Sequence, residues 1–175
     1  MKILISIVII LATVFGCSPL GYQVPKHEKL ADRITDTVGK TLKKEKGLSL
    51  IGTGGQMMDD IKKMSMSFQY FQVVSIEKAR ELVVYATTEY LSAINSNHEI
   101  RPYLNVYPFT LKNVELVVFF VTPDGYNVPK NEISIVAMEK GNVVFYVNDP
   151  TDDRLKVIQT ETYDEALKAI AASKN

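Results

Sequence analysis

Residue types able to do chemistry gather in a few places in this chain. Residues 50–62 read LIGTGGQMMDDIK. A short apolar run meets Gly52, Gly54 and Gly55, and Met57, Ile61 and Met64 then follow at helical spacing. Strand, glycine loop and helix N-terminus together point backbone N–H groups at phosphate. The motif details argue against that use. A dinucleotide fingerprint needs Gly or Ala where Met57 stands, and a P-loop needs Lys and Ser/Thr where Gln56 and Met57 stand. Asp59 and Asp60 would repel an anion at the same place. The expectation is a glycine turn leading into a short helix over 56–66, with no nucleotide bound.

Residues 95–110, NSNHEIRPYLNVYPFT, form the second cluster. His98 and Glu99 are acid–base residue types. Neighbours in an extended segment point opposite ways, so the two need not converge, and no nucleophile or oxyanion motif accompanies them. The structural expectation is a proline-braced loop whose Leu104, Val106 and Phe109 cover an edge of the core. If the loop binds something, His98, Arg101, Tyr103 and Tyr107 make the recognition surface. Asp149, Asp152 and Asp153 make an acidic loop without the spacing of a calcium-binding loop. Ser65, Ser67 and Ser75 lack a nucleophile elbow. With two histidines and one cysteine, a His-rich or multi-cysteine metal site is excluded. No catalytic residue, metal or cofactor is therefore assigned.

The one cysteine is Cys17, and its position carries the strongest signal. Lys2 precedes an uncharged apolar run from Ile3 to Gly16, which ends at Cys17 and the polar stretch SPLGYQVP. Fourteen helical residues span about 21 Å, short of a hydrocarbon core of about 30 Å. The run therefore reads as the core of a signal peptide. Val14-Phe15-Gly16-Cys17 resembles the lipobox of bacterial lipoproteins, with Phe15 where that family places a small residue. The resemblance covers the first 17 residues. It implies cleavage before Cys17, acylation of Cys17, and an anchor on the non-cytoplasmic side of the envelope. Ser18 after the cysteine implies the outer membrane in a cell that has one. Two or three acyl chains hold stably where one is marginal.

Composition sets wider bounds. The chain has 175 residues, enough for one domain. Twenty basic residues balance twenty acidic ones, and losing residues 1–16 leaves a net charge of about −1. No overall field draws nucleic acid. Residues 1–16 are read as the signal, 17–26 as lipidated cysteine and tether, and 27–175 as a single domain.

Within the domain, Leu30, Ile34, Val38 and Leu42 recur every four residues and predict a helix over 27–46, ended by Gly47. Its exposed side offers a stripe for a partner or an anionic membrane, or simply a solvated face. A very short strand is expected over 48–51 and another over 67–74. Ser75 caps a long helix over 76–96, ended by the left-handed tolerance of Asn. Strands follow over 114–121, 133–138, 143–147 and 155–161. The first of these is nearly all apolar and is expected to be covered on both faces. Residues 139–142, EKGN, make a tight hairpin turn. Thr162 and Glu165 form a capping box for the last helix.

The result is an α+β domain: an antiparallel meander of four to five strands, a long central helix, and peripheral helices on one face. That layout resembles cystatin-like folds, as a likeness of fold alone. The segments KKEKGLSLIGTGGQMMDDI, YLSAIN and IRPYLNVYPFTLKNVE resemble small lipoproteins of intracellular bacteria that have no assigned activity. The leading expectation is a lipid-anchored envelope domain that binds another protein. The alternatives are an envelope hydrolase or small-molecule binder built on residues 97–109, and a purely structural surface protein.

Overall fold

The computed structural model describes residues 23–149, 151 and 154–173. Cys17, the apolar run before it, Asp152 and Asp153 lie outside the described residues.

Among the described residues, three α-helices and a six-stranded sheet make an α+β fold. Their order is α1 (Lys26–Lys46), β1 (Ser49–Gln56), β2 (Lys63–Tyr70), α2 (Ile76–Ser96), β3 (Val114–Phe120), β4 (Ile133–Glu139), β5 (Asn142–Asn148), β6 (Leu155–Thr162) and α3 (Tyr163–Ala172). The strands lie in sequence order, β1 to β6. All neighbours are antiparallel except β2 and β3, which run parallel because α2 carries the chain back between them. The expected four to five strands are thus six, and the meander is broken at one step.

The largest departure lies between residues 49 and 70. No helix forms over 56–66. Gly52, Gly54 and Gly55 belong to β1 and pair with Ser67, Ser65 and Met64 of β2. Met57, Ile61 and Met64 fit a helical stripe, but Met64, Met66, Phe68 and Tyr70 alternate with Ser65, Ser67 and Gln69 at the strand period. The alternation buries four large side chains at once, so the strand wins. The same pairing moves β2 four residues ahead of its expected start and lengthens β1 to Gln56.

Local signals set the element ends. Gly47 closes α1 at φ 75°; its amide donates to the Lys43 carbonyl, and the Leu48 amide donates to the Leu42 carbonyl. The Ser75 hydroxyl accepts from the Lys78 amide. Lys140 and Gly141, at φ 51° and 88°, make the two-residue hairpin whose twist matches the strands. Thr162 and Glu165 form a complete capping box on α3. At the end of α2, Asn97 is extended at φ −82°, not left-handed. Its side chain instead accepts from the amides of Glu99 and Ile100.

The helices pack on one face of the sheet, with α2 touching both other helices and β3, β4 and β5. Leu30, Leu42, Leu82, Tyr90 and Ile94 meet Met64, Phe68, Leu116, Val118 and Phe145 in the core. Arg80 is buried there too. It donates twice to Glu161 of β6, at 2.5 and 3.1 Å, and Gln159 donates to the same carboxylate at 2.8 Å. Glu81 joins α1 to α2 by accepting from Lys46 and Lys78, and the Lys78 hydrogen bond holds its carboxyl below the usual range.

Candidate functional site

The glycine segment cannot work as a phosphate loop, since its amides lie in a strand and no helix N-terminus follows them. The turn after it is held by side chains from distant parts of the chain. The His27 ring Nε2–H donates to the Met57 carbonyl at 2.8 Å, and Asp60 accepts from Asn105.

Residues 97–109 pack onto that same turn. The Ile61 amide donates to the Tyr103 carbonyl, and the Asn105 amide donates to the Ile61 carbonyl. The Asn95 side chain bridges the Phe109 amide and carbonyl. Leu104 and Phe109 are buried as expected, but Val106 is exposed. The four candidate side chains divide. The Arg101 guanidinium lies 4.1 Å from the centre of the Tyr107 ring, an arrangement that favours a cation over the ring face. The Tyr103 ring sits 5.9 Å from the His27 ring. His98 is exposed and joins neither pair. No acid–base pair with Glu99 is built. In the acidic loop, Asp149 accepts from the hydroxyl and amide of Thr151, and these bonds hold its carboxyl below the ordinary range. Among the described residues no group of carboxylates, histidines or cysteines is arranged to hold a metal.

A different surface stands out. One sheet face carries the helices; the other is uncovered among the described residues. The strand registers place Ser49, Gln69, Phe119, Ile135, Tyr146 and Val157 in one row across it. The next row holds Gly52, Ser67, Val117, Ala137, Val144 and Thr160. The face has two halves. Over β1 and β2 it is flat, with glycines, serines and Gln69. Over β3 to β6 it is apolar: Val117, Phe119, Ile135 and Tyr146 are half-exposed, Val157 is exposed, and Ala137 and Val144 among them are buried. Sequence reasoning expected β3 to be covered on both faces, and this is corrected here. Glu115 in β3 was the available signal, because a charge has no place in a strand buried on both sides. It pairs across the face with Lys63 at 2.5 Å.

At one end of the apolar half the chain folds into a wall. The Val121 amide donates to the Tyr70 carbonyl, and Val121 bridges to Asn127. A bulge between Leu50 and Gly52 turns Ile51 outward, 54% exposed. Ile51, Phe119, Val121, Asn127, Ile135 and Asn148 line a cleft of about 280 Å³. That space suits one or two side chains more than a whole cofactor. The apolar strip runs on to β6, an edge strand that exposes Leu155, Val157 and Ile158. An open sheet edge beside an apolar face is a place where another chain can add.

Among the described residues no helix is long and apolar enough to cross a membrane. Comparison with family models, curated proteins and solved structures finds no match to this chain.

Proposed function

We propose that this chain is a lipid-anchored protein of a bacterial envelope whose domain binds another protein on the open face of its sheet. The observation that carries the reading is the contiguous apolar set of half-exposed Val117, Phe119, Ile135 and Tyr146 and exposed Val157, beside the cleft at Ile51. An apolar patch with a polar margin marks an interaction site. Here the margin is Gln69, Ser67 and the Lys63–Glu115 pair. The cleft gives an apolar or aromatic anchor from the partner a place to insert, which is where binding energy concentrates. The anchor half of the reading rests on the lipobox-like Val14-Phe15-Gly16-Cys17.

Two measurements test the two halves separately. Cys17→Ala should move the protein from the membrane fraction to the soluble one; unchanged fractionation refutes the anchor. Cross-linking of the acylated protein in its own membrane should capture a partner. Phe119→Lys with Ile135→Lys should weaken that capture by about 30-fold or more, the size of a hot-spot loss, with the folding transition preserved. Capture at full strength by this variant refutes the face.

A further inference from the structure

The exposed side of α1 is unusually basic for a chain of near-zero net charge. Lys26, Lys29, Arg33, Lys40, Lys43 and Lys44 are all exposed; the acidic residues of the helix are exposed Asp32, Asp36 and Glu45 and half-buried Glu28, so the basic side chains outnumber them. At 3.6 residues per turn, Lys29, Arg33, Lys40 and Lys43 lie around Asp36 on the side opposite Leu30, Ile34, Val38 and Leu42, and Lys26 and Lys44 lie on the flank of that side. Those four are buried, so α1 has no apolar stripe left to insert into lipid. Among the described residues, Lys26, Lys29, Arg33, Lys40 and Lys44 form no ion pair. Lys43 donates to the Ser49 hydroxyl. Lys29 and Arg33, and Lys40 and Lys44, sit one turn apart, where like charges repel and weaken a helix. An external anion field would turn this internal cost into attraction.

Where the helix begins supplies the second argument. Eight residues separate Cys17 from Lys26, and the nine Cα–Cα steps reach roughly 30 Å when extended. At 21 residues, α1 is about 31 Å long. It can therefore lie along a surface to which its own N-terminal side is tethered. We infer that the basic ridge of α1 rests on anionic phospholipid headgroups of the membrane holding the anchor. This rests on the lipid-anchor reading and is independent of the partner. Because α1 packs on the helix side of the sheet, the open face then points away from the lipid.

The test uses the mature acylated chain. Acylation occupies its one native cysteine, so Thr37→Cys gives a single labelling position on the ridge and keeps every charge. A nitroxide or fluorophore at this site is compared in phosphatidylcholine vesicles and in the same vesicles with phosphatidylglycerol added. A headgroup-level quencher should reach the label in the anionic vesicles, and added salt should reverse it. A label at Thr160→Cys, on the open face, should stay remote in both. Lys40→Gln with Lys44→Gln should lower the headgroup-bound population about 25-fold, at about fivefold per charge. A label at position 37 remote in both vesicles overturns the inference, and is the outcome expected if an acidic protein covers the ridge. Contact independent of lipid charge also overturns it. Failure of the chain to sediment with neutral vesicles defeats the anchor reading instead. In that case salt-sensitive binding to anionic vesicles alone decides the ridge: present, it supports the inference; absent, it overturns it.

Discussion

Removing the carboxylate of Glu161 should be the most damaging single change in this domain. The Arg80 and Glu161 side chains are only 10% and 11% exposed, and two parallel hydrogen bonds join them. The guanidinium also lies 5.5 Å from the centre of the Phe145 ring. Glu161→Ala leaves that cation in the core with no counter-charge. Breaking one side of a buried pair costs about 3–5 kcal/mol. At about 2–4 °C per kcal/mol for a domain of this size, the melting temperature should fall by about 6–20 °C. Arg80→Met with Glu161→Leu removes both charges and keeps the volume, so it should recover most of the loss. Chemical denaturation of the two single variants and a combined Arg80→Met, Glu161→Ala variant completes a double-mutant cycle. Amide exchange along β6 should quicken in Glu161→Ala before it does in β3, because the pair ties the edge strand to α2. A loss under 1 kcal/mol for Glu161→Ala would refute the reasoning, since it would mean that water reaches the guanidinium.

Other consequences can be checked with the same purified protein. Gly55→Ala should destabilise by more than Gly39→Ala. A Cβ on Gly55 would lie 2.4 Å from the Lys63 carbonyl oxygen, whereas one on Gly39 meets only the movable end of the Leu50 side chain, at 2.9 Å. Equal denaturation midpoints would mean that residues 52–55 are a free loop after all. Tyr90 is buried against Thr35, and burial raises the pKa of its hydroxyl. The folded state then keeps a proton that the unfolded chain releases near pH 10. Its stabilising contribution is complete below about pH 10 and is lost as pH rises beyond it, at up to about 1.4 kcal/mol per pH unit. Tyr90→Phe should flatten that part of the stability profile and cost about 1 kcal/mol at neutral pH, because Thr35 loses its partner. Thr162→Ala should cost about 1 kcal/mol through loss of the capping box, read as a lower urea midpoint with an unchanged slope.

The helices were legible because their signals are local. Ser75, Gly47 and the Thr162/Glu165 pair each act within four residues of themselves, and so does the Lys140-Gly141 turn. What hid from sequence reading depends on distant partners. Met57, Ile61 and Met64 satisfy a helical template that overlaps the strand-period alternation from Met64 to Tyr70, and pairing with β1 and β3 decides between them. The burial of Arg80 follows from Glu161, eighty-one residues away. The open face depends on which strands lie side by side, so β3 read as fully covered. Of the candidate binding residues, the sequence brought His98, Arg101, Tyr103 and Tyr107 into one loop. It could not show that Arg101 stacks on Tyr107, or that Tyr103 turns to a histidine from α1.

The ion pair between Lys63 and Glu115 has a meaning beyond the surface it sits on. A turn fixes how far one strand slides along the next, but β2 and β3 are joined through all of α2, and no turn aligns them. Side-chain alternation is what remains to set their alignment. In β3 that cue is weak, because Val117 and Phe119 on the open side are nearly as apolar as Leu116 and Val118 on the core side. A slip by one residue would trade one set for the other at little hydrophobic cost. It would also drive Glu115 into the core, away from Lys63. One carboxylate, worth little as a surface contact, thus acts as the proofreading mark that rejects the misaligned sheet.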